Sequence, residues 1–226
     1  MKKIQVMGPF NSGTNLIMKM IEDNCLSVED GQMTKQSENF FFWKHTLRKD
    51  FIDKAMLHDF HHDGLLIIMY KHPFNWASSV FQTPYDIVFD DGMLGGVTMQ
   101  GKKYSFIFEL YDRYYTMYQQ LIQEYPGKIV VLDYQKMIDQ ETCEAYIHER
   151  LRQLGLVLVD RTKIQNVLSC PSKTHGIQVK NAHEAVIKYS RVQEDIRHIL
   201  DVVAGPQLKK TIEKILQDHV SYFTSL

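Results

Sequence analysis

Apolar and polar positions alternate along the chain in a pattern that predicts alternating strands and helices. Short apolar segments predict strands at residues 4–7, 39–43, 65–70 and 129–132. The last two segments are uninterrupted apolar runs, which are typical of parallel strands covered on both faces.

Helical periodicity, with apolar residues three or four positions apart, follows most of these strands. It predicts helices over residues 14–24, 75–81, 104–124 and 140–154. Alternating strands and helices indicate an α/β protein whose parallel strands are joined by right-handed crossovers. The expected architecture is a three-layer α/β/α arrangement with a central parallel sheet.

Two regions depart from this pattern. Residues 83–103 contain Pro84, an acidic pair and four glycines, which predicts a long stretch without regular structure, either a functional loop or disorder. Residues 169–181 are polar and basic, and helical patterns follow at 184–204 and 207–224. Because the chain shows no repeat and no clear linker, residues 1–226 are expected to form a single domain. Its helical part, 169–226, is expected to pack on the core.

Composition narrows the class of protein. A chain of 226 residues with 44% hydrophobic and 23% charged residues is typical of a folded domain with a substantial core. The net charge of -1 gives no general attraction to nucleic acid, so no nucleic-acid partner is expected. No apolar run approaches the ~20 residues of a membrane span, and no signal peptide is recognised, so a cytoplasmic location is expected.

The most informative segment is the strand, loop and helix at residues 4–21. Gly8 follows the first predicted strand, and Gly13 precedes the first predicted helix. In such a turn, backbone N–H groups and the helix N-terminus bind phosphate. The glycine spacing is that of a Walker A loop, but Thr14 occupies the position of the lysine. The segment therefore predicts a phosphate-binding loop that does not perform ordinary P-loop phosphoryl transfer.

Cations and hydroxyls follow the next two predicted strands, at the edge where open α/β sheets bind ligands. Lys44 and His45 follow the second strand, and they suit charge neutralisation and proton transfer near neutral pH. Lys71 follows the third strand, and Ser79 lies on the next helix, so the two suit a second phosphate. Taken alone, each is typical of a solvated surface residue; proximity to the loop favours a shared site.

Three further features are more typical of structural roles. Asp133 ends the fourth strand like a Walker B aspartate, but without the Walker lysine a structural role is favoured, in which it caps the next helix or orients a neighbouring side chain. An aromatic-rich helix around Tyr111–Tyr118 favours core packing, although some of its rings would suit a carbohydrate cleft. A histidine- and aspartate-rich segment has metal-ligand spacings but favours a solvated helix end; it comprises His58, Asp59, His61, His62 and Asp63. No metal site is predicted.

Taken together, these segments resemble the sulfotransferase superfamily, whose members transfer a sulfonate group from 3′-phosphoadenosine 5′-phosphosulfate (PAPS). Residues 8–15, with Ser12-Gly13-Thr14 at the centre, resemble the loop that binds the 5′-phosphosulfate. Lys71-x-Pro73 followed by Ser79 resembles the 3′-phosphate segment. Lys44-His45 is similar to the strand-end lysine and histidine beside the transferred group, and 130–137 resembles the family's strand that ends in Tyr-Glu-Asp-Leu or a related sequence. The likeness covers residues 1–140 and is strongest to small microbial members.

The resemblance implies a P-loop-NTPase-like sulfotransferase fold and a metal-free reaction. PAPS would be the co-substrate, and a hydroxyl or amine of a glycan or small molecule would be the acceptor. His45 would be the base, with His72 in reserve, and Lys44 would stabilise charge. The implied PAPS-binding residues are Asn11, Ser12, Gly13, Thr14, Asn15, Lys71 and Ser79.

The chain departs from the family pattern at three positions. Asn11 stands where many members have a cation, and Lys71 replaces an arginine. Lys44 and His45 are adjacent, so on a strand they would point to opposite faces and only one would reach the reacting group. Two alternatives stay open: a P-loop kinase or NTPase with Asp133 as metal ligand, and a nucleotide-binding scaffold without turnover.

Overall fold

The computed structural model describes residues 1–37, 42–59, 64–139, 141–169 and 182–226. Its strands are β1 Lys3–Met7, β2 Cys25–Ser27, β3 Lys35–Ser37, β4 Gly64–Tyr70, β5 Ile87–Phe89, β6 Val97–Met99, β7 Lys102–Tyr104, β8 Ile129–Asp133 and β9 Leu156–Leu158. Its α-helices are α1 Thr14–Ile21, α2 Lys49–Lys54, α3 Pro73–Gln82, α4 Ile107–Glu124, α5 Tyr134–Ile138, α6 Cys143–Arg152, α7 Thr162–Ser169, α8 Ala182–Val203, α9 Pro206–Ile215 and α10 Ser221–Ser225. Single π-helical turns follow α2 and α9.

The central sheet has four parallel strands in the order β3-β1-β4-β8, which confirms the predicted α/β class. From β1 the chain crosses to β3 on one side, and from β3 it returns to β4 on the other side of β1. The connections that leave β1 and β4 therefore diverge at the carboxyl edge of the sheet. This reversal of strand order is the point at which open α/β sheets form a ligand crevice.

Residues of each central strand alternate between two apolar cores. Leu66, Ile68 and Tyr70 pack on one face of the sheet with α3, α4, α9 and α10. Their neighbours Leu65 and Ile67 pack on the other face with α1, α6 and α7. The sheet thus lies between two layers of helices, as the patterning predicts.

The region 83–103, predicted as a long loop, contains a small antiparallel sheet in the order β5-β6-β7. Each of its strands has three residues. A three-residue segment is too short to show a period of two, and the surrounding glycines obscured the pairing. The prediction of an unstructured segment was wrong.

The strand predicted at 39–43 was also wrong at its last two residues. Residues 39–41 lie outside the described ranges, and Phe42 and Trp43 are not in a strand. The edge strand of the central sheet is β3, which ends at Ser37. β3 is polar and three residues long, so it carries no apolar signal.

The C-terminal helices contact the rest of the molecule. α9 contacts α4, and α8 contacts α3 and α5. His219 and Lys214 both bind Asp112 of α4, with Nε2 to Oδ1 at 2.7 Å and Nζ to Oδ1 at 3.1 Å. Burial tends to raise the pKa of Asp112, but the hydrogen bonds from His219 and Lys214 outweigh it and lower the pKa.

The aromatic residues of α4 are core residues, as favoured by the sequence. Tyr111, Tyr114, Tyr115 and Tyr118 are fully buried between the sheet and the C-terminal helices. Cys25 and Cys143 are buried thiols, and burial raises the pKa of Cys25 to about 12. Within the described ranges, no helix has both the length and the apolar character needed to cross a lipid bilayer.

Candidate functional site

The loop between β1 and α1 is a tight turn with two residues in the left-handed region. Asn11 has φ 59° and Gly13 has φ 93°. Between them, Ser12 is buried, and its Oγ donates to the carbonyl of Pro9 at 2.7 Å. Left-handed residues in such a turn orient successive backbone N–H groups into a concavity that suits an anion.

Gly13 is both the last residue of the loop and the residue that precedes α1. A Cβ at this position would overlap the ring of Tyr134, so only glycine fits without displacement of that ring. In the described part of the chain, no side chain caps the N-terminus of α1. The first N–H groups of a helix have no intrahelical partner and carry a partial positive charge. The N-terminus of α1 at this turn therefore has the partial positive charge that suits a negatively charged group.

Lys71 joins this loop to α3 at the carboxyl edge of β4. Its Nζ donates to the carbonyl of Asn11 at 2.9 Å and to Ser79 Oγ at 2.8 Å. Ser79 Oγ in turn donates to the carbonyl of Asn75 at 2.8 Å. The Lys71 ammonium also lies 4.6 Å from the centre of the Tyr134 ring, a cation–π distance. The cation and the hydroxyl selected from the sequence are thus in direct contact beside the loop.

Lys44 and His45 both contact the loop between β1 and α1 or the residues that flank it. Lys44 Nζ donates to Asn15 Oδ1 at 2.7 Å, and His45 Nδ1 donates to the carbonyl of Gly8 at 2.6 Å. Gly8 also donates its N–H to the carbonyl of Lys44 at 3.1 Å. The two residues form a turn rather than the end of a strand, so their side chains do not alternate between two faces.

The hydrogen bond of His45 determines where its proton lies. A carbonyl oxygen only accepts, so Nδ1 of the neutral imidazole carries the hydrogen and Nε2 carries the lone pair. Phe10 stacks on this imidazole at 4.4 Å between ring centres, and Trp43 meets it edge-on at 5.4 Å. The arrangement fixes both the tautomer and the orientation of the ring that the sequence nominates as base.

His72, the reserve candidate for the base, is a helix cap instead. It precedes α3, and its Nδ1 accepts a hydrogen bond from the N–H of Phe74. Burial, and then the positive charge of Arg197, lower the pKa of His72 to about 4. A base with so low a pKa, and with its lone pair already occupied, is unsuited to accept a proton at neutral pH.

Asp133 caps α5, which confirms the structural role favoured by the sequence. Its Oδ1 accepts the N–H of Gln135 at 2.8 Å. Burial raises the pKa of Asp133, so the site favours the neutral form of this carboxyl more than water does.

The structure adds contacts that the sequence does not suggest. The Nδ2 of Asn11 donates to the carbonyl of Thr83 at 2.8 Å and to that of Ser79 at 3.3 Å. Asn11 thus holds the loop against the end of α3 with its side chain, while its carbonyl receives Lys71. Trp76 is fully buried and donates Nε1–H to the carbonyl of Phe10 at 2.7 Å.

Three more residues of this region were missed. Tyr134 covers Gly13 and Lys71. Tyr85 holds a left-handed conformation, φ 49°, and stacks on Phe10 at 5.7 Å. Asn75 is fully buried on α3. Only Asn75 carried a signal in the sequence, because it lies midway between Lys71 and Ser79 at helical spacing.

No protein-family model matches the chain, and no curated protein shows significant similarity to it. Among the described residues, no group of three or more histidines, cysteines and acidic residues is placed to hold a metal ion. His61, His62 and Asp63 of the histidine-rich segment lie outside the described ranges. Any functional assignment therefore depends on the geometry of the loop and its cations.

Proposed function

We propose that the protein is a PAPS-dependent sulfotransferase of the P-loop-like type. It would transfer a sulfonate group to a hydroxyl or amine of a glycan or small-molecule acceptor. The observation that carries the proposal is the contact of Lys71 with both Ser79 and the loop. In this proposal one anion would bind at the N-terminus of α1, and a second would bind beside it at Lys71 and Ser79.

A nucleotide with phosphate groups on both sides of its ribose matches two such positions. The 5′-phosphosulfate suits the backbone N–H groups of residues 13–15 at the N-terminus of α1, since the N–H of Ser12 donates to the carbonyl of Pro9. Lys44, which contacts Asn15 in the first turn of α1, supplies positive charge there. The 3′-phosphate suits the ammonium of Lys71 and the hydroxyl of Ser79.

The reaction would proceed by positioning and charge stabilisation. His45 Nε2 would accept the proton of the acceptor hydroxyl as the acceptor oxygen forms a bond to sulfur. The bond between sulfur and the bridging oxygen breaks, and adenosine 3′,5′-bisphosphate leaves with that oxygen. Lys44 and the N–H groups of the loop would stabilise the negative charge that develops on the leaving oxygen.

Isothermal titration without metal tests the proposal by comparing adenosine 3′,5′-bisphosphate with ADP. We expect the bisphosphate to bind at least ~10-fold more tightly, because only it places a phosphate on Lys71 and Ser79. Lys71→Ala is expected to remove most of this preference. Lys19→Ala, which removes an exposed cation from α1, is the matched control and should retain it.

Equal affinities of the wild-type protein for the two nucleotides would exclude the sulfotransferase assignment. Mg²⁺-dependent turnover of ATP would instead favour the kinase or NTPase alternative, in which Lys71 or Lys44 substitutes for the lysine replaced by Thr14. Tight bisphosphate binding without transfer to any acceptor would favour the non-catalytic scaffold.

A further inference from the structure

Asn75 is a fully buried amide whose hydrogen-bonding capacity is unused. In the part of the chain that the structure describes, neither Oδ1 nor Nδ2 has a hydrogen-bond partner. Buried side-chain amides in folded proteins nearly always have partners, because burial without one is unfavourable. The exceptions call for an explanation, and a ligand with both a donor and an acceptor would supply one.

The position of Asn75 connects it to the Lys71 and Ser79 pair. It lies in the first turn of α3, four residues after Lys71 and four before Ser79, so it shares a helix face with Ser79. Side chains of a helix tilt towards its N-terminus, which here is the carboxyl edge of β4. The main-chain carbonyl of Asn75, unlike its side chain, already accepts a hydrogen bond from Ser79 Oγ.

We propose that Asn75 recognises the ribose of the nucleotide. This inference rests on the proposed function, in which Lys71 and Ser79 bind a 3′-phosphate. Asn75 Nδ2 donates to that phosphate, and Asn75 Oδ1 accepts the hydrogen of the neighbouring 2′-hydroxyl. A phosphate alone satisfies only Nδ2, because it offers no hydrogen to Oδ1 at neutral pH. A hydroxyl next to a phosphate satisfies both atoms of the amide.

A matched pair of nucleotides isolates this contact. Adenosine 3′,5′-bisphosphate and 2′-deoxyadenosine 3′,5′-bisphosphate differ only in the hydroxyl and are titrated calorimetrically without metal. The wild-type protein is expected to prefer the ribonucleotide about tenfold, equivalent to ~1.4 kcal/mol. Asn75→Ala is expected to bind the two with equal affinity. Gln82→Ala, an exposed substitution two turns along the same helix, should keep the wild-type preference.

Loss of folding is not expected to obscure the result. Asn75→Ala removes an unpaired buried amide and introduces a better helix former, so the unliganded variant should melt at or above the wild-type temperature. Equal wild-type affinities for the two nucleotides, or an unchanged preference in Asn75→Ala, would overturn the inference. If Asn75→Ala lost selectivity for adenine over guanine but kept its preference for the ribonucleotide, that would also overturn the inference. Each of these outcomes can occur while the wild-type protein still prefers adenosine 3′,5′-bisphosphate to ADP, so this inference can fail while the proposed function stands.

Discussion

The hydrogen bond from His45 to Gly8 links the proposed base to the loop that would bind the nucleotide. Because Nδ1 donates to a main-chain carbonyl, the neutral imidazole has its basic lone pair on Nε2. A test of His45 must therefore remove the basic nitrogen without removing the donor.

His45→Asn meets this requirement, because its Nδ2 can take the place of the imidazole Nδ1–H. We expect acceptor-dependent release of adenosine 3′,5′-bisphosphate to slow by roughly 10²–10⁴-fold, the usual contribution of a general base. Binding of the bisphosphate should be nearly unchanged in calorimetry. His58→Ala, on an exposed turn, is the control. A rate equal to that of the wild type would show that another residue is the base.

His72 gives a separate prediction for stability. Its pKa falls from 6.5 to about 4 on folding, so between these values the unfolded chain binds a proton that the folded protein does not. The free energy of unfolding should therefore decrease as the pH falls from 6.5 to 4, by about 3 kcal/mol in total. Urea denaturation across this pH range measures the effect.

His72→Asn keeps a side-chain oxygen that can cap α3 but removes the titrating group. The variant should show a shallower pH dependence between 6.5 and 4 than the wild-type protein. The same slope in both proteins would mean that other groups, and not His72, cause the loss of stability.

At the scale of secondary-structure elements, sequence prediction succeeded where apolar runs are long. β4 and β8 were placed within one residue, because buried parallel strands are continuous apolar segments. β3, β5, β6 and β7 were missed, because three residues cannot show a period and their pairing depends on distant segments. The local conformation at Lys44 and His45 was misjudged, because Phe42 and Trp43, which precede them, are not in a strand.

Some contacts within the candidate site could likewise be predicted from the sequence, and others could not. The pairing of Lys71 with Ser79 was accessible from the sequence, because a strand end and the following helix fix their separation. The contacts of Tyr134 and Tyr85 join segments far apart in the chain, so no local pattern specifies them. The burial of Asn75 likewise depends on what packs against α3.

Gly13 provides a test of the loop as an element. Gly13→Ala introduces a Cβ that overlaps Tyr134 and also strains a backbone at φ 93°. We expect a loss of about 1–3 kcal/mol in the free energy of unfolding and weaker binding of adenosine 3′,5′-bisphosphate.

Gly101→Ala is the matched control for Gly13→Ala. Gly101 has φ 76°, but a Cβ there would meet nothing within 4 Å, so it reports backbone strain alone. Urea denaturation and calorimetry of both variants separate strain from overlap. Equal losses of stability, with nucleotide binding intact in both, would contradict the close approach of Tyr134 to the loop.

At the scale of the whole molecule, Asp112 of α4 binds side chains of the C-terminal helical segment. Asp112→Asn weakens the hydrogen bonds from His219 and Lys214, which gain strength from the carboxylate charge. We expect the free energy of unfolding at pH 7 to fall by roughly 1–3 kcal/mol in urea denaturation. Asp218→Asn, an exposed substitution on the same C-terminal segment, should have little effect. Similar losses in both variants would indicate a general response to charge rather than a specific tie.

The side chain of Asn11 has a mechanical consequence. Its Nδ2 donates to main-chain carbonyls at the end of α3, just before the segment that leads to the β5-β6-β7 sheet. A shift of the turn that follows β1 would therefore either break these hydrogen bonds or carry the segment after α3 with it. Asn11 thus favours a joint movement of the two segments when a molecule binds between them.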